Sequence, residues 1–131
     1  MGKYKKLEKR LDFEFDDDKL LELALTHPSY AMDNKCKDNQ RLEFLGDAVL
    51  QLCVSDVLYD RFPKIHEGQL TRRRSALVCE GNLAKAARKL GLGDWLRLGH
   101  GEELLGGREK ASILADAMEA VIAAVYIDGG F

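Results

Sequence analysis

The sequence predicts an all-α protein, a compact helical bundle of about seven helices in one domain that covers residues 1–131. No run of residues alternates apolar and polar side chains between turn signals, whereas apolar residues recur with helical spacing along the chain. The 131 residues are 46% apolar and 32% charged, with two prolines, as in a globular domain. This composition excludes intrinsic disorder and a disulfide-stapled miniprotein.

Start and stop signals divide the chain into helices and loops. Acidic residues or asparagines begin several of the predicted helices, and a proline or a glycine ends most of them. Polar or glycine-rich composition predicts loops at residues 31–38 and 99–108. The predicted helices cover residues 16–27, 39–62, 67–79, 82–91 and 109–127. The first has an acidic start, and Asn39 caps the second, which Pro63 stops. Asn82 caps the fourth, and a left-handed Gly91 ends it.

Charge is unevenly distributed along the chain, although the net charge is only −2. Residues 1–60 carry 9 basic and 13 acidic side chains, whereas residues 61–110 carry 11 basic and 6 acidic side chains. A basic segment of this kind can follow the phosphates of a nucleic acid. A solvated helix face is the simpler explanation when charge is considered alone.

The sequence contains neither a membrane span nor a secretion signal. The longest apolar run, residues 120–127, is shorter than the ~20 residues of a membrane span, and residues 1–10 are charged throughout. The three cysteines, Cys36, Cys53 and Cys79, form no CxxC pair. The absence of a CxxC pair favours cysteines that are small buried side chains in a reducing compartment, rather than ligands of a metal or partners in a disulfide. We therefore expect a cytoplasmic protein with no membrane partner.

Two stretches of the predicted helices, residues 42–54 and 113–127, are apolar on most of their faces and carry few charged side chains. The long helix carries Glu43 and Asp47 four positions apart, and the last helix carries Asp116 and Glu119 three positions apart. Each pair shares one face of its helix. If the helices pack together, the carboxylates repel one another and stay ionised only beside a cation, and oxygen ligands suit Mg²⁺ or Mn²⁺. The alternative is an acidic stripe that faces solvent.

Three further residues stand out from their surroundings. Gly46 lies inside the long helix, where glycine lowers helix stability by about 1 kcal/mol relative to alanine. Either this glycine is simply tolerated, or it is needed because another backbone, RNA or a second subunit approaches closely. Phe44 is either a core residue or a contact for a second subunit. His27, in the THPSY turn, is expected to make a structural hydrogen bond rather than to act in chemistry.

Residues 39–50, NQRLEFLGDAVL, resemble the signature motif of the ribonuclease III family. Other stretches resemble the family in the same order, and together they cover nearly the whole chain: THPSY at 26–30, EGQLTRRRSALV at 67–78, GNLAKAARKLGLG at 81–93 and SILADAMEAVIAAVYIDGG at 112–130. The chain is similar to the bacterial endonuclease domain, which is all-helical and cuts double-stranded RNA. The domain that usually follows, a double-stranded-RNA-binding domain, is absent from these 131 residues.

This resemblance implies roles for individual residues. The family's metal-binding carboxylates correspond to Glu43, Asp47, Asp116 and Glu119, and Asp47 and Glu119 are the expected catalytic residues. Phe44 corresponds to a residue that enters a hydrophobic socket of the second subunit of a homodimer.

RNA contacts are expected beside the acidic cluster. The family uses the positions of Glu67 and Gln40 there, although many members have Glu where this chain has Gln40. Thr71, Arg72 and Lys110 are further candidates for phosphate or ribose contacts.

The expected activity is Mg²⁺-dependent hydrolysis of double-stranded RNA, with Mn²⁺ as a substitute. It would leave 5′-phosphate and 3′-hydroxyl ends with short 3′ overhangs, and it would serve the processing of rRNA and mRNA precursors. The alternatives are a non-cleaving RNA-binding homologue, a Mini-III-type rRNA maturation nuclease, and a helical interaction module whose carboxylates only face water.

Overall fold

The computed structural model describes residues 3–131, and these residues form an all-α structure. Apart from one isolated bridge between Thr26 and Arg97, the described residues contain no β-structure. Two short 3₁₀ turns cover Leu92–Trp95 and Gly107–Glu109. The helices are α1 (Lys5–Leu11), α2 (Asp18–Ala24), α3 (Pro28–Asn34), α4 (Gln40–Arg61), α5 (Glu67–Leu77), α6 (Glu80–Lys89), α7 (His100–Leu104) and α8 (Ala111–Gly129).

Helix α8 lies at the centre of the core. Helices α4, α6 and α2 all pack against it, and its contact with α4 is the most extensive in the described part of the chain. Most of the buried residues of α8 are alanines, whose small side chains let neighbouring helices come close. Larger residues that are almost fully buried fill the space around them: Leu7, Leu21, Leu25, Leu92, Leu114 and Val121.

The all-α prediction is confirmed, and the predicted helices from residue 16 onward correspond to α2, α4, α5, α6 and α8. For most of these helix ends, the observed and the predicted residue differ by two or three positions. The predicted left-handed residue after α6 is present, because Gly91 has φ 66°. Helix α1 had no counterpart in the prediction, which began its first helix at the acidic residues 16–18.

The two predicted loops were wrong in part, because each contains a short helix. Helix α3 extends to Asn34, within the predicted loop at residues 31–38. Pro28 begins it favourably, since the first turn of a helix needs no N–H from that residue. Helix α7 lies within the predicted loop at residues 99–108. Both helices are polar and short, so neither shows the apolar periodicity on which the prediction depended.

Asn39 and Asn82, which were predicted to cap helices, make other hydrogen bonds instead. The buried Asn39 side chain does not cap α4; its Nδ2 donates to the carbonyl of Ala24 (3.0 Å). Asp38 accepts the N–H of Gln40 instead, with 2.9 Å between Oδ1 and N. Helix α6 begins at Glu80, before the predicted cap Asn82, whose Nδ2 donates back to the carbonyl of Ala76 (2.7 Å) and so joins α5 to α6.

The expectation that the cysteines are buried was wrong. Cys36 and Cys79 are exposed and Cys53 is only partly buried, because Cys36 follows α3 and Cys79 lies at the junction of α5 and α6. Across residues 3–131, none of the helices combines the length and the apolar character that crossing a bilayer requires.

Candidate metal centre

Helices α4 and α8 come into direct backbone contact at Gly46. A Cβ atom built on Gly46 would overlap the backbone carbonyl of Glu119, and it would also lie 3.2 Å from the Cα of that residue. Gly46 is buried, so no displacement toward solvent is open to it. Of the explanations offered for a glycine inside a helix, the close approach of another backbone is the one that the structure supports.

This contact brings carboxylates of the two helices together. Glu43, Asp116 and Glu119 each offer an oxygen, and these oxygens lie within 4.8 Å of one another. Asp47, one turn after Glu43, hydrogen-bonds with the side chain of Glu119. The four residues that the sequence singled out therefore lie at one junction, and we call them the carboxylate cluster. Asp47 joins it through Glu119 and lies outside the tighter group of three.

The carboxylate cluster holds protons unusually tightly. Partial burial, the charge of Asp116 and a hydrogen bond with Asp116 raise the pKa of Glu43 to about 7. Partial burial, a hydrogen bond with Asp47 and the charge of Asp47 raise the pKa of Glu119 to about 8. In each pair a hydrogen bond joins the glutamate to an aspartate of the other helix and favours the protonated glutamate, as expected where carboxylates are too close to ionise together.

The donor set fits a hard divalent cation. All the converging atoms are carboxylate oxygens, which Mg²⁺ and Mn²⁺ prefer over the nitrogen and sulfur ligands of softer ions. A divalent cation at this point would replace the protons on Glu43 and Glu119 and would offset the charge repulsion that, after burial, helps to raise both pKa values. Exposed sides on Asp47 and Asp116 leave the cluster open to solvent and to a substrate.

An ion pair lies at the N-terminus of α8, on the side of the carboxylate cluster where Asp116 lies. Lys110, the residue before α8, donates from Nζ to Oε2 of Glu102 in α7 (2.6 Å). The Glu102 side chain is only 19% exposed, so it holds the lysine more firmly than a surface partner would. The charges of Glu102, Lys110 and Asp116 all act on the imidazole of His27. The sequence did not single out Glu102, because glutamate in a glycine-rich polar segment carries no distinctive signal.

The other predicted RNA contacts are dispersed. Gln40 is exposed at the first position of α4, one turn before Glu43. Arg72 is exposed on α5. Glu67 and Thr71 line a groove of about 380 Å³ between α4 and α5, well along α4 from the carboxylate cluster. The remaining residues that line this α4–α5 groove are Leu52, Ser55, Asp56, Leu58, Tyr59, Leu70 and Arg74.

Helix α4 also exposes large apolar side chains on the surface away from α8. Phe44 is 81% exposed and Tyr59 is 78% exposed, and Leu52, between them, is also exposed. These residues recur at spacings of seven or eight positions along α4, which places them on the same side of the helix. Exposed aromatic residues at helical spacing are typical of a surface that another protein covers. Of the two alternatives for Phe44, a place in the core of this chain is therefore excluded.

The sequence and the fold both match known proteins. A family model described as Ribonuclease-III-like matches residues 17–131. The protein named Ribonuclease 3 of Heliobacterium modesticaldum is 56% identical over 127 residues, which are 95% of this chain and 54% of that protein. Ribonuclease 3 of Moorella thermoacetica is 62% identical over 112 residues, which are 85% of this chain and 48% of that protein. The chain thus spans about half the length of the curated relatives that it matches.

Solved structures give the same result. The nuclease domain of ribonuclease III from Campylobacter jejuni, studied for structural flexibility in a region involved in dimer formation, is 49% identical with a TM-score of 0.93. That match covers 97% of this chain and 87% of the other. Dicer from Pichia stipitis is 30% identical with a TM-score of 0.65, over 89% of this chain and 48% of that one. With this fold, and with a family model that matches most of its length, the chain belongs to the ribonuclease III family.

Proposed function

We propose that this chain is a divalent-metal-dependent endoribonuclease that hydrolyses phosphodiester bonds of double-stranded RNA. The observation that carries the proposal is the convergence of Glu43, Asp116 and Glu119, with Asp47 beside Glu119, at the contact between α4 and α8. The names of the relatives, Ribonuclease 3, support the same activity.

Glu43, Asp116 and Glu119 would hold Mg²⁺, or Mn²⁺ in its place, and Asp47 would complete the set of ligands. When bound, the cation would supply a hydroxide nucleophile near neutral pH and would offset the charge that develops on the phosphate oxygens. Asp47 and Glu119 are the catalytic residues in this proposal, because their side chains meet where α4 and α8 cross and Glu119 would be a ligand of the cation. The products would carry 5′-phosphate and 3′-hydroxyl ends.

The RNA itself would be held by charged and polar side chains beside the cluster and on α5. Lys110, fixed by Glu102, would contact a phosphate, and Arg72, Thr71, Glu67 and Gln40 are the further RNA contacts that we propose. A-form RNA is recognised mainly through its shape, phosphates and 2′-hydroxyls. These residues would therefore confer little base specificity, in agreement with a role in processing rRNA and mRNA precursors in the cytoplasm.

We also propose that the active form is a homodimer. One carboxylate cluster cuts one strand, so cutting both strands at a fixed stagger requires two clusters related by a two-fold axis. Phe44 projects from α4, and the apolar lining of the α4–α5 groove offers a matching depression for the Phe44 of a second copy. The dimer formation described for the Campylobacter jejuni nuclease domain supports this assembly, and short 3′ overhangs would follow from it.

The test is incubation of the chain with long duplex RNA, with and without Mg²⁺, followed by sequencing of the product ends. We expect Mg²⁺-dependent fragments with 5′-phosphates and short 3′ overhangs. RNA that binds but stays intact in Mg²⁺ would contradict the proposal and would favour a non-cleaving homologue.

A further inference from the structure

His27 has one ring nitrogen whose role the structure explains. The backbone N–H of Ser29 donates to Nδ1 of His27 (3.0 Å), which caps α3, and the hydroxyl of Ser29 lies 2.8 Å from the same nitrogen. A backbone N–H can only donate, so Nδ1 is the unprotonated acceptor. In the neutral ring the proton is therefore carried by Nε2.

The Nε2–H group has no protein partner among the described residues. The hydrogen bonds of this imidazole all involve Nδ1. In the described part of the chain, no buried side-chain nitrogen or oxygen lacks a hydrogen-bond partner, so Nε2 reaches solvent. His27 thus presents an accessible donor from a ring that is otherwise fixed.

The surroundings of the ring connect it to the candidate metal centre. Glu102 and Asp116, and then Asp38 and Lys110, are the charged groups that act on it, and Asp116 belongs to the carboxylate cluster. Partial burial lowers the pKa of His27, which keeps the ring neutral with Nε2 as a donor. The N–H of Asn39, the residue before α4, donates to the carbonyl of Thr26 (2.9 Å), so His27 lies at the end of α4 that carries Glu43, where the proposed function requires RNA.

The turn that carries His27 is held from several directions. The N–H of His27 donates to the carbonyl of Arg97 (3.0 Å), and the N–H of Gly99 donates to Oγ of Ser29 (2.8 Å). A Cβ on Gly99 would lie 2.5 Å from the carbonyl oxygen of Ser29, so the two segments are in backbone contact. A donor held in this way is already oriented for its acceptor, which lowers the entropic cost of binding.

From this geometry we propose that Nε2–H of His27 donates to a phosphate oxygen of the RNA, beside Lys110. His27 is thereby a substrate-contacting residue as well as the cap of α3. The inference rests on the function proposed above, and it adds a residue that the metal-binding and RNA-binding sets described there do not contain.

Two substitutions separate the cap from the contact. In His27→Asn, Oδ1 can take the place of Nδ1 and still cap α3, because asparagine is a favoured N-cap residue, but the donor at Nε2 is lost. In His27→Gln, the side-chain amide reaches the position of Nε2, but the acceptor at Nδ1 is lost. Both variants are made in a Glu119→Gln background, so that duplex RNA is bound without being cut.

The readouts are the Kd for a short RNA duplex in Mg²⁺, measured by fluorescence anisotropy, and the thermal midpoint of the free protein. For His27→Asn we expect an unchanged midpoint and a Kd raised about 10-fold, as for a lost hydrogen bond to a charged group. For His27→Gln we expect a lower midpoint and a Kd within about 3-fold of the background, because the donor is retained.

Equal Kd values for His27→Asn and the background would overturn the inference and leave His27 as a cap alone. That result would leave the proposed function intact, because RNA would still bind. If the Glu119→Gln protein binds no duplex and the wild-type protein cuts none, the proposed function fails and the inference fails with it.

Discussion

The backbone of α4 at Gly46 lies against the backbone carbonyl of Glu119 in α8, with no room for a side chain between them. This contact sets the distance between α4 and α8 at the level of their carboxylates. The requirement for glycine at this position and the convergence of the four carboxylates are thus two consequences of one helix crossing.

Replacement of Gly46 by alanine should separate the two helices. The added methyl group would overlap a backbone atom, which cannot rotate away, so we expect a loss of about 2–3 kcal/mol in the free energy of unfolding. RNA cleavage and Mg²⁺ binding should fall with it. Denaturant unfolding and titration calorimetry measure the two effects.

The matched control is Gly81→Ala in α6. A Cβ on Gly81 meets nothing within 4 Å, so this change should stabilise the protein by about 0.5–1 kcal/mol through helix propensity. Equal stability effects of the two substitutions would contradict the close contact at Gly46.

Replacement of Glu119 by glutamine should abolish cleavage and keep the fold. The amide can still hydrogen-bond Asp47, but it adds no negative charge to the ligand set, so we expect cleavage to fall by about 100-fold or more. Glu80→Gln, on the exposed first turn of α6, is the control and should cut RNA at the wild-type rate. Gel assays of duplex RNA report both. Cleavage by Glu119→Gln at more than a tenth of the wild-type rate would remove Glu119 from the catalytic set.

The protein without metal should lose stability as the pH rises from about 5 to 8. Glu43 and Glu119 have pKa values of about 7 and about 8 in the folded chain, above the ordinary value of 4.5, so the folded state binds more protons than the unfolded chain in this range. At pH 8 Glu119→Gln should therefore raise the thermal midpoint by about 3–6 °C, which is roughly 1 kcal/mol in a domain of this size. Calorimetric melting at several pH values tests this. An unchanged midpoint in Glu119→Gln at pH 8 would show that charge repulsion within the cluster does not destabilise the folded chain.

Mg²⁺ binding should tighten over the same pH range and release protons. The cation must displace the protons that Glu43 and Glu119 hold, so the apparent affinity should be weak at pH 6 and stronger at pH 8. Isothermal titration in buffers of different ionisation enthalpy measures both the affinity and the number of protons released. A pH-independent affinity would mean that these two carboxylates do not bind the ion.

Truncation of Phe44 should disrupt self-association without unfolding the chain. Because its side chain is 81% exposed within one subunit, Phe44→Ala removes little of that subunit's own core, whereas in the proposed dimer it would empty the α4–α5 groove of the partner. We expect the dimer dissociation constant to rise by 10-fold or more, which corresponds to at least about 1.4 kcal/mol. Analytical ultracentrifugation measures it. Met32→Ala, at a side chain that is 83% exposed on α3, should leave self-association unchanged. A wild-type chain that is monomeric at micromolar concentration would contradict the assembly.

The helices that were predicted from the sequence carry signals of their own. Leucines at helical spacing mark α2, apolar surface marks α4 and α8, and a left-handed glycine marks the end of α6. Helices α3 and α7 carry no such signal. They are short and polar, and contacts with distant residues support them: the N–H of His100, at the start of α7, donates to Oδ2 of Asp33 in α3, 67 residues away. Local pattern does not contain that kind of information.

The identity of the acidic residues followed from the sequence alone. Glu43, Asp47, Asp116 and Glu119 are the charged residues of two largely apolar helical stretches, residues 42–54 and 113–127. A charge in such a stretch must lie at an edge or in a cleft whatever the fold. The spacing within each pair also follows from helix geometry. The distance between the pairs does not, because residues about 70 positions apart are related only by packing.

Tertiary structure decided how these groups interact. The contact of Gly46 with Glu119 brings the pairs within hydrogen-bonding reach, and that proximity, together with burial, raises the pKa values of Glu43 and Glu119. Packing of the whole chain also places Glu67 in the α4–α5 groove, away from the cluster, and it brings the charges of Glu102, Asp116 and Lys110 near enough to act on His27. Burial and the distances between charges depend on the whole packed core, so they exist only once the chain has folded.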